Sequence, residues 1–229
     1  MVDIRTAAKN VKYHGLFETP VIVSEIEDSA ELSGELRAVI NHRRQNHQTD
    51  LRTNVNGWQS DTGMLQWGGA PAQQLGEIVV EMCSRFTRDI GQTDPEKPRF
   101  EWSAEMWANI CGKGSSHESH THPGALWSVV FYVDDGLAEN EDPVNAGKLV
   151  IQDPRNPTPV MYKPDLRYVD SSGEVYQTDQ RFTPKPGQCI AFPSWVAHWV
   201  TAHKGQRERI SIAINLIALP TRPLPTKSP

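Results

Sequence analysis

The chain is poor in cysteine. It has three in 229 residues, Cys83, Cys111 and Cys189, widely separated and with no CxxC spacing. An odd, scattered set argues against a disulfide framework and fits a reducing compartment, so a cytoplasmic location is expected. No run of about 18 apolar residues occurs, so no membrane-spanning helix is expected. The opening stretch MVDIRTAAKNVKYHG lacks the apolar core of a signal peptide. Basic residues are not in excess: 23 Lys and Arg face 28 Asp and Glu, for a net charge of −5. Nucleic acid and anionic membrane surfaces are therefore not expected partners, although one or two local arginines could hold a small anion. There is no internal repeat and no long low-complexity segment. What remains is 38% hydrophobic and 22% charged, the composition of a globular domain large enough for a real core.

The pattern changes near residue 95. Before it, TPVIVSEI reads as a short strand. Asp28 and Glu31 offer a capping box for a helix carrying Leu32, Leu36, Val39 and Ile40, up to about Arg44. A second helix is expected from Pro71, with Leu75, Ile78, Val79, Met82, Phe86 and Ile90 on one face. The intervening TDLRTNVNGWQSDTGMLQWGG reads as a long loop with one short strand, and loops of this length are often functional. After residue 95, short apolar runs alternate with turn formers. FEWSAEMWANIC, ALWSVVFYV, GKLVIQD, EVYQTD, GQCIAFP, AHWVTAH and RISIAINLIAL are candidate strands. The expectation is a mainly β single domain over 1–229: a helical and loop layer (1–95), a jelly-roll core (96–219) and a loose proline-rich tail (220–229).

Eight histidines are present, and three fall in HESHTHPG at 117–124. On an extended segment His120 and His122 would point to one side, because the side-chain period is two. Both imidazoles could then reach one metal ion. His117, three residues before His120, would point away. A third ligand should come from a distant strand, and His198 in FPSWVAHWV is the candidate. His203 sits in AHKGQRER, which reads as an exposed turn. Arg209 and Ser211 lie two apart on an otherwise apolar strand. A buried guanidinium needs a partner, and a carboxylate held by it and a neighbouring hydroxyl would satisfy the need. Arg207 reads as solvated, and Arg155 as paired with Asp153.

These residues, in this order, resemble the Fe(II)/2-oxoglutarate-dependent oxygenases, and more closely a subgroup with an HxHP motif. The stretches that carry the resemblance are NGWQSD at 56–61, MWANICGKGSSHESHTHPGALWSVVFYV at 106–133, GKLVIQDPR at 147–155, and PGQCIAFPSWVAHWV with RISIAIN at 186–215. The resemblance implies a double-stranded β-helix, a cupin-like jelly roll backed by N-terminal helices. It implies that His120, His122 and His198 bind Fe(II), and that Arg209 and Ser211 hold the far carboxylate of 2-oxoglutarate. It also suggests Asn109 as a further cosubstrate contact. The superfamily usually carries Asp or Glu where His122 stands. Glu118 could restore that donor set from the other flank of His120.

The implied reaction is a dioxygenase reaction: 2-oxoglutarate and O2 give succinate and CO2, with oxidation of a small-molecule substrate. Trp58 and Trp195 are the expected substrate contacts. Two alternatives stay open at this stage. One is a three-histidine dioxygenase of cupin type without 2-oxoglutarate. The other is a non-catalytic metal-binding jelly roll, since histidine-only ligation also suits zinc.

Overall fold

The computed structural model describes residues 12, 14–50, 52–91, 94, 98–155 and 165–221. Most of the proline-rich tail, 222–229, lies outside the described residues. Among the described residues two antiparallel sheets face each other. One holds β1 (Ile22–Glu25), β3 (Trp58–Gln59), β4 (Phe100–Cys111), β6 (Trp127–Asp134), β9 (Gln188–Pro193) and β11 (Arg209–Pro220). Its spatial order is β1-β9-β6-β11-β4-β3. The second holds β2 (Asn54–Val55), β5 (Ser116–His120), β7 (Leu149–Gln152), β8 (Asp179–Phe182) and β10 (His198–Val200), in the order β2-β5-β10-β7-β8. This is the double-stranded β-helix expected.

Two helices, α1 (Ser29–Asn46) and α3 (Gly69–Ser84), cover the outer face of the larger sheet, with a short α2 (Met64–Trp67) before α3. Leu36 and Ile40 of α1, Leu75 and Val79 of α3, and Ile110, Phe131 and Ile212 of the sheet form one core with 0–1% exposure each. Burial of such a side chain is worth roughly 1.5–3 kcal/mol, which is why an 18-residue helix with exposed polar flanks stays on the sheet. A smaller cluster between the sheets, including Ile151, Ile190 and Phe192, closes the sandwich where β7 faces β9.

Several details depart from expectation. Asp28 adopts a left-handed backbone (φ 50°) and makes no side-chain cap, so the capping box does not form. A capping side chain needs an extended backbone to reach the first-turn amides. The second helix ends at Ser84, leaving Phe86 and Ile90 exposed rather than on its buried face. EVYQTD is not a strand. Asp170 Oδ1 accepts the amides of Ser172 and Glu174 and turns the chain there, so the strand begins at Asp179. The N-terminal layer does more than support the core: β1 pairs with β9, β2 with β5, and β3 with β4.

Candidate active site

Strands β4, β6 and β11 are buried on both faces around the middle of the larger sheet. Residues of one parity point to the helices. Those of the other parity line a cavity of about 340 Å³ between the sheets. From β4 come Trp107 and Asn109, from β6 Ser128 and Tyr132, and from β11 Arg209, Ser211 and Asn215. The second sheet contributes His117, His120 and His198.

His120, His122 and His198 each present a ring nitrogen, all within 4.8 Å of one another. Their positions have different origins. His120 ends β5 and sits directly opposite His198 on β10. His122 lies beyond the strand, in the turn, where its amide donates to the Ser194 carbonyl at 2.9 Å. The pairing of His120 and His122 therefore does not come from strand alternation, although their ring centroids are only 4.9 Å apart. The His120 and His198 rings are each fixed by a backbone carbonyl. His120 Nδ1–H donates to Glu118 O at 2.7 Å and His198 Nδ1–H to Val196 O at 3.0 Å. A carbonyl only accepts, so Nδ1 carries the proton and Nε2 is the free donor atom in both. Such outer partners orient metal-binding imidazoles.

His117 is a correction. Between β5 and β10 the register shifts: His120 pairs with His198 but His117 pairs with Val200. Three residues on one strand span two on the other, a β-bulge that turns His117 inward. Its Nε2 lies 3.5 Å from Cys111 Sγ, beside Arg209. Glu118 is also corrected. Its side chain is exposed on the outer surface, and only its carbonyl serves the site. Among the described residues it is not part of the ligand group.

Burial keeps these rings neutral. It pushes His198 down to about 3 and His122 to about 4, with neighbouring His120 adding to both, and it lowers His120 as well. His117 falls to about 3, first by burial and then by the Arg209 charge. Neutral imidazoles are the form that binds metal without first losing a proton.

Arg209 is 1% exposed. Its guanidinium lies over the Tyr132 ring at 5.1 Å, with Nη1 at 3.9 Å from Cys111 Sγ. It pairs with no carboxylate among the described residues, and its Nε has no hydrogen-bond partner. Ser211 stands two residues on, directly opposite Asn109, whose Oδ1 is also unpartnered. A cavity lined by an unpaired buried cation and a hydroxyl suits an anion, and the Asn109 carboxamide can add a donor only through its Nδ2–H.

Other expectations resolve simply. Arg207 is held by Asp134 at 3.0 Å and by the Leu137 carbonyl. Arg155 pairs with Asp153 through two hydrogen bonds at 3.0 and 2.8 Å. His203 is not exposed: it is fully buried, with Nδ1 accepting from the Gly147 amide and Nε2–H donating to the Arg207 carbonyl. A Cβ at Gly136 would come within 2.6 Å of its ring, so that position requires glycine. Trp58 belongs to the helix-side core, with its indole N–H donating to the His47 carbonyl at 3.1 Å. Trp195 is 58% exposed. Neither lines the cavity. The next residue, Gln59, does so, as does Trp107, whose ring is 5.7 Å from that of His122.

The fold is a jelly roll, and its three-histidine group could hold a metal ion. Residues 105–215, β4 through β11, match the family described as "Putative 2OG-Fe(II) oxygenase". Over that stretch the chain is similar to the 2OG-Fe(II) oxygenases, enzymes that use Fe(II) and 2-oxoglutarate. Among solved structures it is similar to a Pseudomonas putida prolyl-4-hydroxylase, with 15% identity over 87% of this chain and 92% of that one and a TM-score of 0.56. It is also similar to a Trichoplax adhaerens prolyl hydroxylase solved with a hypoxia inducible factor peptide fragment (13%, 86% and 83%, TM-score 0.55). A third is the α-ketoglutarate-dependent epimerase SnoN of nogalamycin biosynthesis (12%, 92% and 87%, TM-score 0.55). At these identities the likeness is one of fold. No curated protein matches the sequence. Among the described residues no helix is long and apolar enough to cross a membrane.

Proposed function

We propose that His120, His122 and His198 hold Fe(II), that Arg209 and Ser211 hold the far carboxylate of 2-oxoglutarate, and that Asn109 is a further contact to that cosubstrate. The protein would couple decarboxylation of that cosubstrate to hydroxylation or a related oxidation of a small molecule. The observation that carries this reading is Arg209, a cation 1% exposed, without a carboxylate partner among the described residues, in the same cavity as the three histidines. Burying a lone charge is costly, so a site that keeps one is built for a ligand that pairs it.

Bound iron would supply the oxygen chemistry, with 2-oxoglutarate leaving as succinate and CO2. The chain's own residues do the rest. The Glu118 and Val196 carbonyls aim His120 and His198. Tyr132 stacks against the guanidinium and keeps it in place. Ile151 and Phe192 wall off the adjoining interior from water. Gln59, Trp107 and Thr121 line the same cavity as the ligands and are the substrate-facing candidates. Arg209 weighs against a three-histidine enzyme without cosubstrate, which would leave this cation unpaired.

The test is spectroscopic. Fe(II)-loaded protein under anaerobic conditions should develop the weak visible absorption of an iron–2-oxoglutarate chelate when the cosubstrate is added. Full metal loading with no such band would refute the assignment.

A further inference from the structure

The three rings of the proposed metal group are not held alike. His120 and His198 each give Nδ1–H to a backbone carbonyl. A backbone carbonyl cannot be mutated away and cannot donate, so those two tautomers are locked. His122 has a side chain in that place: its Nδ1 lies 3.3 Å from the Nδ2 of Asn215. Asn215 is 7% exposed, and its Oδ1 in turn accepts from the Ser128 hydroxyl at 3.1 Å. Across the ring, His122 Nε2 lies 3.3 Å from His198 Nε2.

These heavy-atom positions admit two self-consistent proton patterns. In the first, Ser128 donates to Asn215 Oδ1, Asn215 Nδ2–H donates to His122 Nδ1, and His122 Nε2–H donates to His198 Nε2. His122 then has no lone pair to offer at Nε2. In the second, the carboxamide is turned by half a revolution. Oδ1 accepts His122 Nδ1–H, Nδ2–H donates to Ser128 Oγ, and the Nε2 lone pairs of His122 and His198 both point into the group. A carboxamide and a hydroxyl can each donate or accept, so both patterns keep every hydrogen bond. Only the second gives three Nε2 donors.

We propose that Asn215 is the positioning residue for the third metal ligand, its carboxamide oxygen holding His122 in the Nδ1–H tautomer, with Ser128 as the hydroxyl that permits the amide to turn. The inference rests on the three-histidine reading above. It also gives a reason for an amide at this place. A carboxylate ligand at position 122 would need no tautomer control, whereas a histidine does. The polar pair Ser128/Asn215 is set into strands whose opposite faces are wholly apolar.

Zn(II) is a suitable probe, because it suits histidine ligands and is silent to oxygen. Its affinity is measured by competition with a chromophoric chelator on the full chain, for the wild type, Asn215→Leu, Asn215→Asp and Ser128→Ala. Asn215→Leu should weaken Zn(II) binding about 10–100-fold. Asn215→Asp, which keeps an acceptor facing Nδ1, should bind at least as tightly as the wild type. Ser128→Ala should cost less than Asn215→Leu. Proton–nitrogen correlation spectra of the Zn(II) complex should show His122 protonated at Nδ1 in the wild type and in Asn215→Asp. Equal affinity of Asn215→Leu and wild type would overturn the inference. So would Asn215→Asp binding as weakly as Asn215→Leu, since that outcome means a packing role only. A wild type that binds no Zn(II) would overturn the metal site itself, and this inference with it.

Discussion

On β11, Ile210, Ile212 and Ile214 point toward the helices, while Arg209, Ser211 and Asn215 point into the cavity. The same alternation runs along β4, where Met106, Ala108 and Ile110 face the helices and Trp107 and Asn109 face the cavity. The two faces share backbone, hydrogen bonds and register, but their chemistry is opposite. The helix side is apolar and fully packed, as a face that supplies stability must be. The cavity side carries an unpaired cation and an orphaned amide oxygen, and it faces the imidazoles of the second sheet and its turn. Those groups cost stability in the free protein and are understandable only through what they bind. Within this sheet residue parity separates the packing face from the face that holds Arg209 and Ser211, while the histidines come from across the cavity.

The contrast is broken most severely at a ligand. His198→Ala should abolish tight metal binding, beyond the roughly 10–100-fold losses typical of outer partners. In chelator-treated protein its thermal midpoint should stay close to that of the wild type. Metal content after dialysis, with a melting curve, checks both. A collapse of the fold would mean that His198 belongs to the packing side after all.

On the other face, Ile212→Ala should cost about 2–5 kcal/mol of stability, as buried large-to-small changes do. The cosubstrate affinity of the molecules that remain folded should be unchanged. Urea unfolding and a binding titration at low temperature separate the two. Next comes Arg209→Met. It should weaken 2-oxoglutarate binding by about 10–100-fold, the loss of charge-assisted hydrogen bonds worth roughly 1.5–3 kcal/mol. The same change should leave the free protein as stable or more stable, because it removes a buried charge that lacks a carboxylate. Opposite signs for stability and binding in one variant would be the cleanest mark of a functional face.

The smallest effect concerns acid. Burial lowers His198 to about 3 from the ordinary 6.5. Between those values the unfolded chain binds more protons than the folded one. This contribution is therefore complete above pH 6.5 and is lost progressively as the pH falls toward 3. In chelator, moving from pH 7 to pH 5 should cost the wild type about 1–2 kcal/mol more than it costs His198→Gln. Equal losses would show that His198 is protonated without penalty.

Much of the fold was legible in the sequence because period-two alternation and turn residues mark strands well. FEWSAEMWANIC coincides with β4 residue for residue. His120, His122, His198, Arg209 and Ser211 could be brought together through the family resemblance of their ordered motifs, while the strand period that also linked His120 to His122 is not what brings those two rings together. Features set by tertiary context were not legible. The bulge that turns His117 inward depends on how β5 pairs with β10, and no local residue announces it. His203 reads as part of a polar turn, yet Gly136, Gly147 and Gly205 pack against it and two backbone groups bond its ring. Trp58 attracted attention as an aromatic in a long loop, and the core took it. Trp107 and Asn215 were within reach: they share parity with Asn109 and Arg209 on the same strands, and extending that parity would have found them.

The central claim is that one cavity joins the three histidines to Arg209 around a single molecule of 2-oxoglutarate. A calorimetric titration of the metal-loaded chain with 2-oxoglutarate tests it most directly, using Arg209→Met and chelator-treated protein alongside. The account predicts saturation at one molecule per chain, much weaker binding without metal, and much weaker binding without the guanidinium. No heat of binding with metal in place, or an affinity indifferent to Arg209, would contradict it.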